Sequence, residues 1–289
     1  MLQYRLAISS PYTAMKTDID YDKEIVNIYL LLLFDTLPQI DPAQIERALA
    51  ASGPTQPMAV RRQGEVEGYP LTTVEFNGHR LVMIAYNEPA PFEAIDLAIS
   101  AAPWPETEKA PLRTHRAHIG LSYFGPSNDA IEQMECCMRV AGVFLDRGLL
   151  GYVDRVAWNC LPAATLRPLV QPKMAQVTSL EQIPLGVWTG FVKFPTGGDG
   201  VCFFTKGYHR WGMPDLAWHG LVSDSSDAFD MLSQVFVYVL ESGLTLHAGL
   251  SLRLGGNMLH LILPAPDAGY LNSPLGTLLI EKAPSTLLN

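Results

Sequence analysis

Seven histidines, four cysteines and one dense run of polar and aromatic residues are the parts of this chain that could do chemistry. The histidines are His79, His115, His118, His209, His219, His247 and His260. A zinc site would need several of them at ligand spacing, or a helical His-x-x-x-His. His115 and His118 lead into an apolar run, and on a strand their spacing sets them on opposite faces. No carboxylate stands at a recognisable offset, so no metal is expected. The cysteines are Cys136, Cys137, Cys160 and Cys202. None forms Cys-x-x-Cys, and the adjacent pair on a helix would point about 100° apart. Buried free thiols suit that pattern better than a disulfide framework or a nucleophile. No Gly-x-Ser-x-Gly is present, and no cysteine has a protease-like context.

The richest stretch is Tyr208-His209-Arg210-Trp211-Gly212-Met213-Pro214-Asp215. Trp and Arg are common interface anchors, and loops between strands carry sites. Tyr208, His209, Arg210, Trp211 and Asp215 are therefore the candidate partner-binding residues. In the competing structural reading, Trp211 packs on the core and Arg210 pairs with Asp215. No catalytic residue is assigned. The glycine-rich Thr196–Gly200 lacks the lysine and Ser/Thr of a phosphate loop and leads into no helix. The acidic cluster Asp18, Asp20, Asp22 and Glu24 lacks the glycine and closing glutamate of a calcium loop. No cofactor is expected.

Composition limits the partners. Hydrophobic residues make up 48% and charged residues 17% of 289, which is a globular balance with one or two cores. The net charge is −9 and no stretch gathers Lys and Arg, so nucleic acid is not an expected partner. A negative surface suits solubility and, more specifically, a basic protein. The opening Met1–Ile8 has no basic segment followed by an apolar run and a cleavage site. The densest apolar run, Ile28–Phe34, is far shorter than the roughly 20 residues a membrane span needs. The expectation is a cytoplasmic protein with no membrane association.

These residues must be positioned by an α+β fold, with mostly antiparallel sheets covered by helices in two similar or closely packed halves. Residues 28–34 read as a buried strand. Asp41-Pro42 opens a helix running to Ala51. Asn77-Gly78 joins strands 71–76 and 80–86 in a tight hairpin. A helix is expected over 92–101, a strand over 117–124 and a helix over 128–147. Asp129 and Glu132 form a capping-box pattern on that last helix, Met134 and Met138 lie in its apolar stripe, and Gly148 ends it. Further strands are expected at 187–194, 201–205, 216–222, 244–254, 258–263 and 277–280, with a helix over 226–242. Pro162, Pro168, Pro172 and Pro184 mark 161–186 as a connector between an N-terminal half, 1–160, and a C-terminal half, 187–289. His118-Ile119-Gly120-Leu121 and Trp218-His219-Gly220-Leu221 suggest that the halves echo one another.

Several short motifs carry a family resemblance. They are the Asp41-Pro42 helix, Asn87-Glu88-Pro89-Ala90-Pro91, Trp104, His115-Arg116-Ala117-His118, Thr205-Lys206-Gly207-Tyr208 and Trp211-Gly212-Met213-Pro214-Asp215. Together they resemble the bacterial domain-of-unknown-function family 4261 over most of residues 28–282. Asp215 stands where that family usually has glutamate, and Ala217 where a second acid is common. The resemblance implies no activity, cofactor or catalytic residue. It implies kinship with small acidic proteins found beside bacterial toxin and secretion genes. The leading functional expectation is thus a non-catalytic protein-binding protein, in its most specific form an immunity protein that occludes a basic toxin or secreted effector. The alternatives are a hydrolase or transferase with an unrecognised site near 208–215, and a structural or chaperone-like secretion-system component.

Overall fold

A computed structural model describes residues 28–51, 58–170, 185–266 and 268–282. The acidic cluster at 18–24 and the connector residues 171–184 lie outside the described residues. The chain forms two sheets with helices against them. None of the helices among the described residues is long and apolar enough to cross a membrane.

The first sheet is built around β1 (Tyr29–Phe34). Leu30, Leu32 and Phe34 enter one core, whereas Leu31 and Leu33 enter another. Burial on both faces explains the unbroken apolar run. α1 (Pro42–Ala51) follows, with Ala43 N donating to Asp41 Oδ1 at 3.0 Å. Next come β2 (Met58–Val66), β3 (Tyr69–Phe76) and β4 (His79–Tyr86). Asn77 and Gly78 have φ of 52° and 83°, the left-handed pair that a two-residue hairpin requires. β2 was not expected. It is an edge strand whose middle, Arg61–Glu65, is exposed, so its sequence carries no alternation.

α2 (Phe92–Ala101) and α3 (Glu106–Arg113) close one face of this sheet. β5 (Ala117–Tyr123) pairs with both β4 and β1. α4 (Ala130–Gly142) is shorter than the 128–147 expected, with a 3-10 turn at Leu145–Arg147 and Gly148 left-handed at φ 84°. A Cβ on Gly142 would lie 2.1 Å from Val170 Cγ1, because the next helix crosses there. The capping box also differs. Asp129 Oδ1 caps Ile131 N at 2.8 Å, but Glu132 accepts from Ser127 Oγ rather than from the Asp129 amide. Met134 and Met138 are core residues.

β6 (Leu149–Asp154) and β7 (Asn159–Pro162) complete the sheet, in the order β2-β3-β4-β5-β1-β6-β7. α5 (Ala163–Val170) packs on them through Leu166. Residues 161–170 are therefore not connector: they form the end of β7 and a helix of the first half. Pro162 ends an edge strand, and Pro168 is accommodated inside α5.

The second sheet begins after a short turn of helix, α6 (Leu185–Trp188), where a strand was expected. β8 (Gly190–Gly197), β9 (Gly200–Lys206) and β10 (Asp215–Leu221) form a meander. α7 (Ser225–Ser242) follows and stops at Gly243, φ 66°. β11 (Ser251–Leu254), β12 (Asn257–Ile262) and β13 (Thr277–Lys282) complete the order β11-β12-β13-β10-β9-β8. Residues 244–250 are irregular rather than strand. β13 runs parallel to β10; the other neighbours are antiparallel.

The expected α+β architecture is thus present. The halves share part of an order, β3-β4-β5-α4 against β8-β9-β10-α7, but α2 and α3 stand between β4 and β5 only in the first; the two echoing tetrapeptides lie in β5 and β10. They also share a core. Phe34, Tyr152 and Met134 belong to the same apolar cluster as Tyr208, Phe236 and Leu261. Fully burying one such side chain stabilises by about 1.5–3 kcal/mol, so the halves hold each other in place.

Candidate functional site at the junction of the halves

Residues Tyr208–Trp211 form a 3-10 turn bounded by left-handed Gly207 and Gly212, at φ 105° and 72°. These glycines let the chain reverse twice between β9 and β10. The turn aims its side chains inward. Tyr208, Arg210 and Asp215 are 2%, 5% and 1% exposed; His209 and Trp211 are half-buried.

Arg210 crosses the junction. Its Nη1 lies 2.7 Å from Asp154 Oδ2, and its Nη2 donates to Asp154 Oδ1 at 2.8 Å. Both side chains are at most 1% exposed. Asp154 Oδ1 also accepts from Val156 N and Ala157 N, each at 3.1 Å, and Arg210 Nη1 donates to Trp188 O at 3.1 Å. A buried pair of this kind needs extra hydrogen bonds against its desolvation cost, and Val156 N, Ala157 N and Trp188 O supply them here. The expected Arg210–Asp215 pair does not form. Asp154 terminates β6 in the first half and Arg210 stands in the second, so the pair joins the halves.

The same junction holds α6. Asn159 Nδ2 donates to the carbonyls of Gly186, Val187 and Thr189 at 3.2, 3.1 and 3.0 Å, and Tyr152 Oη donates to Val187 O at 3.2 Å. A Cβ on Gly190 would sit 1.9 Å from Ala157 O, so only glycine allows β8 to start against the β6–β7 turn.

Asp215 faces a separate cluster. It accepts from Tyr208 N at 3.0 Å and from Thr205 Oγ1 at 3.3 Å, while Thr205 Oγ1 accepts from Leu216 N at 2.9 Å. Burial raises the Asp215 pKa, opposed by the hydrogen bonds from Tyr208 N and Thr205 Oγ1 and by the Lys206 charge. Lys206 is itself 3% exposed; it donates to Asn272 O and lies over Trp158, 4.7 Å from the ring centroid. Burial lowers its pKa, and Asp215 opposes that shift.

The remaining members pack. Tyr208 lies 4.8 Å from Phe236, its hydroxyl donates to Leu232 O at 3.3 Å, and burial drives its pKa far upward. Trp211 meets Phe236 edge-on at 5.1 Å. Burial, then the Arg210 charge, pushes His209 down to about 4. The void beside Tyr208, bounded by Thr205, Phe229 and Leu232, is about 10 Å³, which barely admits one water. The turn binds the two halves together, and that void is too small for a substrate.

Other reactive groups are likewise committed. His115 Nδ1 donates to Leu112 O at 2.7 Å and its Nε2 accepts from Ala90 N at 2.8 Å. His118 Nδ1 donates to Glu88 O at 2.9 Å. His115 precedes β5, so strand alternation does not separate the two rings, and both hold the Asn87–Pro91 break. Burial lowers both pKa values. Trp104 Nε1 donates to Cys160 O at 2.6 Å, tying the α2–α3 link to β7. All four thiols are buried, and burial pushes Cys136 and Cys160 up to about 12. Among the described residues, no group of three His, Cys, Asp or Glu side chains could hold a metal ion.

An open concavity lies elsewhere among the described residues. A cleft of about 320 Å³ lies against the second sheet, lined by Thr196, His219, Leu279, Ala265, Ala268 and Tyr270, among others. Its volume is at the lower end for a recognition pocket. Sequence reasoning missed it, although β10 carries a usable signal: Ala217, His219 and Leu221 alternate with Leu216, Trp218 and Gly220. No protein-family model, curated protein or solved structure matches this chain.

Proposed function

We propose that this protein is a non-catalytic protein-binding protein, and that its most specific role is to occlude a basic toxin or secreted effector. One contrast supports the reading. Tyr208, Arg210 and Asp215 of the 208–215 turn are spent on internal bonds, whereas the cleft face of the second sheet is open among the described residues and largely apolar. On that face Leu221 is 52% exposed and Phe194, stacked on Tyr270, 40%; Leu263, next in sequence to Pro264 of the cleft wall, is 69% exposed. Exposed apolar side chains gathered around a cleft are a mark of recognition. The acidic balance of the chain suits a basic partner.

The test is affinity capture of the tagged full-length chain from its native host, with quantitative mass spectrometry. The reading predicts one stoichiometric protein partner, of basic composition, whose toxicity on expression is suppressed by this chain. Recovery of no stoichiometric partner under several growth conditions counts against it.

A further inference from the structure

The same side of the molecule is closed over the first sheet and open over the second. Over the first, α2 and α3 seal Leu31, Leu33 and Val153, none more than 2% exposed. The last residue of α2, Ala101, reaches the second sheet and packs against the small cluster of Val192, Cys202, Phe204 and Ala217. There the only cover among the described residues is Ala265, Ala268, Tyr270 and Leu271, with the cleft between them and the strands. Register places Phe194 beside Cys202, and Cys202 beside His219, so these side chains share the open face with Leu221. Leu263 adjoins the cleft wall at Pro264.

Charge distinguishes the two faces of this sheet. Asp199 lies in the turn after Thr196 of the cleft wall, and Glu281 follows Leu279 on the same face. Lys193 and Lys282 belong to the opposite face: Lys193 stands beside Phe203, and Lys282 lies 4.4 Å from the Trp218 ring centroid. Arg253, on the far edge strand, is the one exposed cation on the cleft's side among the described residues.

From these observations we infer that the open face docks an amphipathic, lysine- or arginine-rich helix of the partner protein, seated beside α2 with an apolar side chain in the cleft. The occupant is a helix because this chain covers the matching face of its first sheet with helices. The helix is basic because Asp199 and Glu281 border the cleft, Lys193 and Lys282 lie on the other face, and Lys206, on the cleft's side, is buried against Trp158 and Asn272 O. The inference rests on the protein-binding reading and gives it a surface and a partner chemistry.

The test uses the full chain and two fluorescent sixteen-residue model helices of one amphipathic pattern, one of Leu and Lys, the other of Leu and Glu. Fluorescence anisotropy measures affinity, and hydroxyl-radical footprinting reads side-chain exposure. The Leu/Lys helix is expected to bind and to shield Phe194, Leu221 and Leu263. Leu263→Arg and, as a second variant, Leu221→Arg should each weaken it at least tenfold, with Phe92→Arg on the exposed side of α2 within twofold. Equal binding of the Leu/Glu helix, a footprint elsewhere, or no response to either cleft variant overturns the inference. Capture of a native partner that survives Leu263→Arg also overturns it, while leaving the protein-binding reading standing.

Discussion

Arg210→Met removes the cation from a junction in which neither partner is more than 1% exposed. The methionine fills much of the aliphatic volume but leaves Asp154 without its counter-ion. Breaking a buried pair from one side costs about 3–5 kcal/mol. Asp154 keeps hydrogen bonds from Val156 N and Ala157 N, which places this case near the lower end, about 3 kcal/mol. For 289 residues the unfolding entropy is about 0.6 kcal/mol/K, so the melting temperature should fall about 5 °C. The defect should also depend on pH. An unpaired buried carboxyl has a folded pKa above its unfolded value, so the native variant holds more protons than the unfolded chain in that window. Its stability therefore falls as pH rises through the window, and the gap to wild type should be smaller at pH 5 than at pH 8. The double variant Asp154→Asn/Arg210→Met, which keeps an oxygen acceptor for Val156 N and Ala157 N but strands no charge, should recover part of the loss. Urea unfolding followed by circular dichroism measures each arm. A single-variant loss under 1 kcal/mol, or a double variant no more stable than Arg210→Met, refutes the reasoning.

Other predictions follow from the same geometry. His115, His118 and His209 are neutral and buried or half-buried, with folded pKa values below the unfolded one. The unfolded chain binds more protons below about pH 6.5, so the urea midpoint should be flat above that pH and fall as pH drops toward 4. Gly190→Ala forces a Cβ against backbone at Ala157 and should cost about 1–3 kcal/mol, more than Gly142→Ala, whose obstacle is the Val170 side chain; melting temperatures rank the two. All four cysteines should react slowly with a thiol reagent in the native state and fully in urea, because burial removes both access and thiolate. Asp129→Ala removes the cap on α4 and should cost about 1 kcal/mol by chemical denaturation.

The elements legible in the sequence were those whose burial follows one period or whose ends carry a specific residue. β1 is buried on both faces and reads as a continuous apolar run. The Asn77-Gly78 hairpin is fixed by backbone conformation alone. α1 and α2 have the bounds expected for them. β2 and β7 were invisible for opposite reasons: β2 is exposed through its middle, and β7 is four buried residues ending in proline. α3 was missed because its surface is charged and only Lys109 and Leu112 are buried. α5 is hidden in the sequence because Pro168 signals a break, whereas the helix accommodates it. At the candidate site, the sequence singled out the right turn but not the direction in which its side chains point. Arg210 and Asp215 are near neighbours in sequence, yet Arg210 finds Asp154 in a remote strand. No local spacing encodes that pairing. The cleft was equally illegible, since Thr196, His219, Ala265 and Leu279 meet only once the strands are ordered.

The most direct test of the account is hydroxyl-radical footprinting of the complex captured from the native host, compared with the free protein. The account predicts that Phe194, Leu221 and Leu263 lose reactivity in the complex, while Tyr208 and Met213 stay unreactive in both states because they are already interior. Unchanged reactivity around the cleft, with protection instead at the exposed positions of α1 or β2, would contradict it.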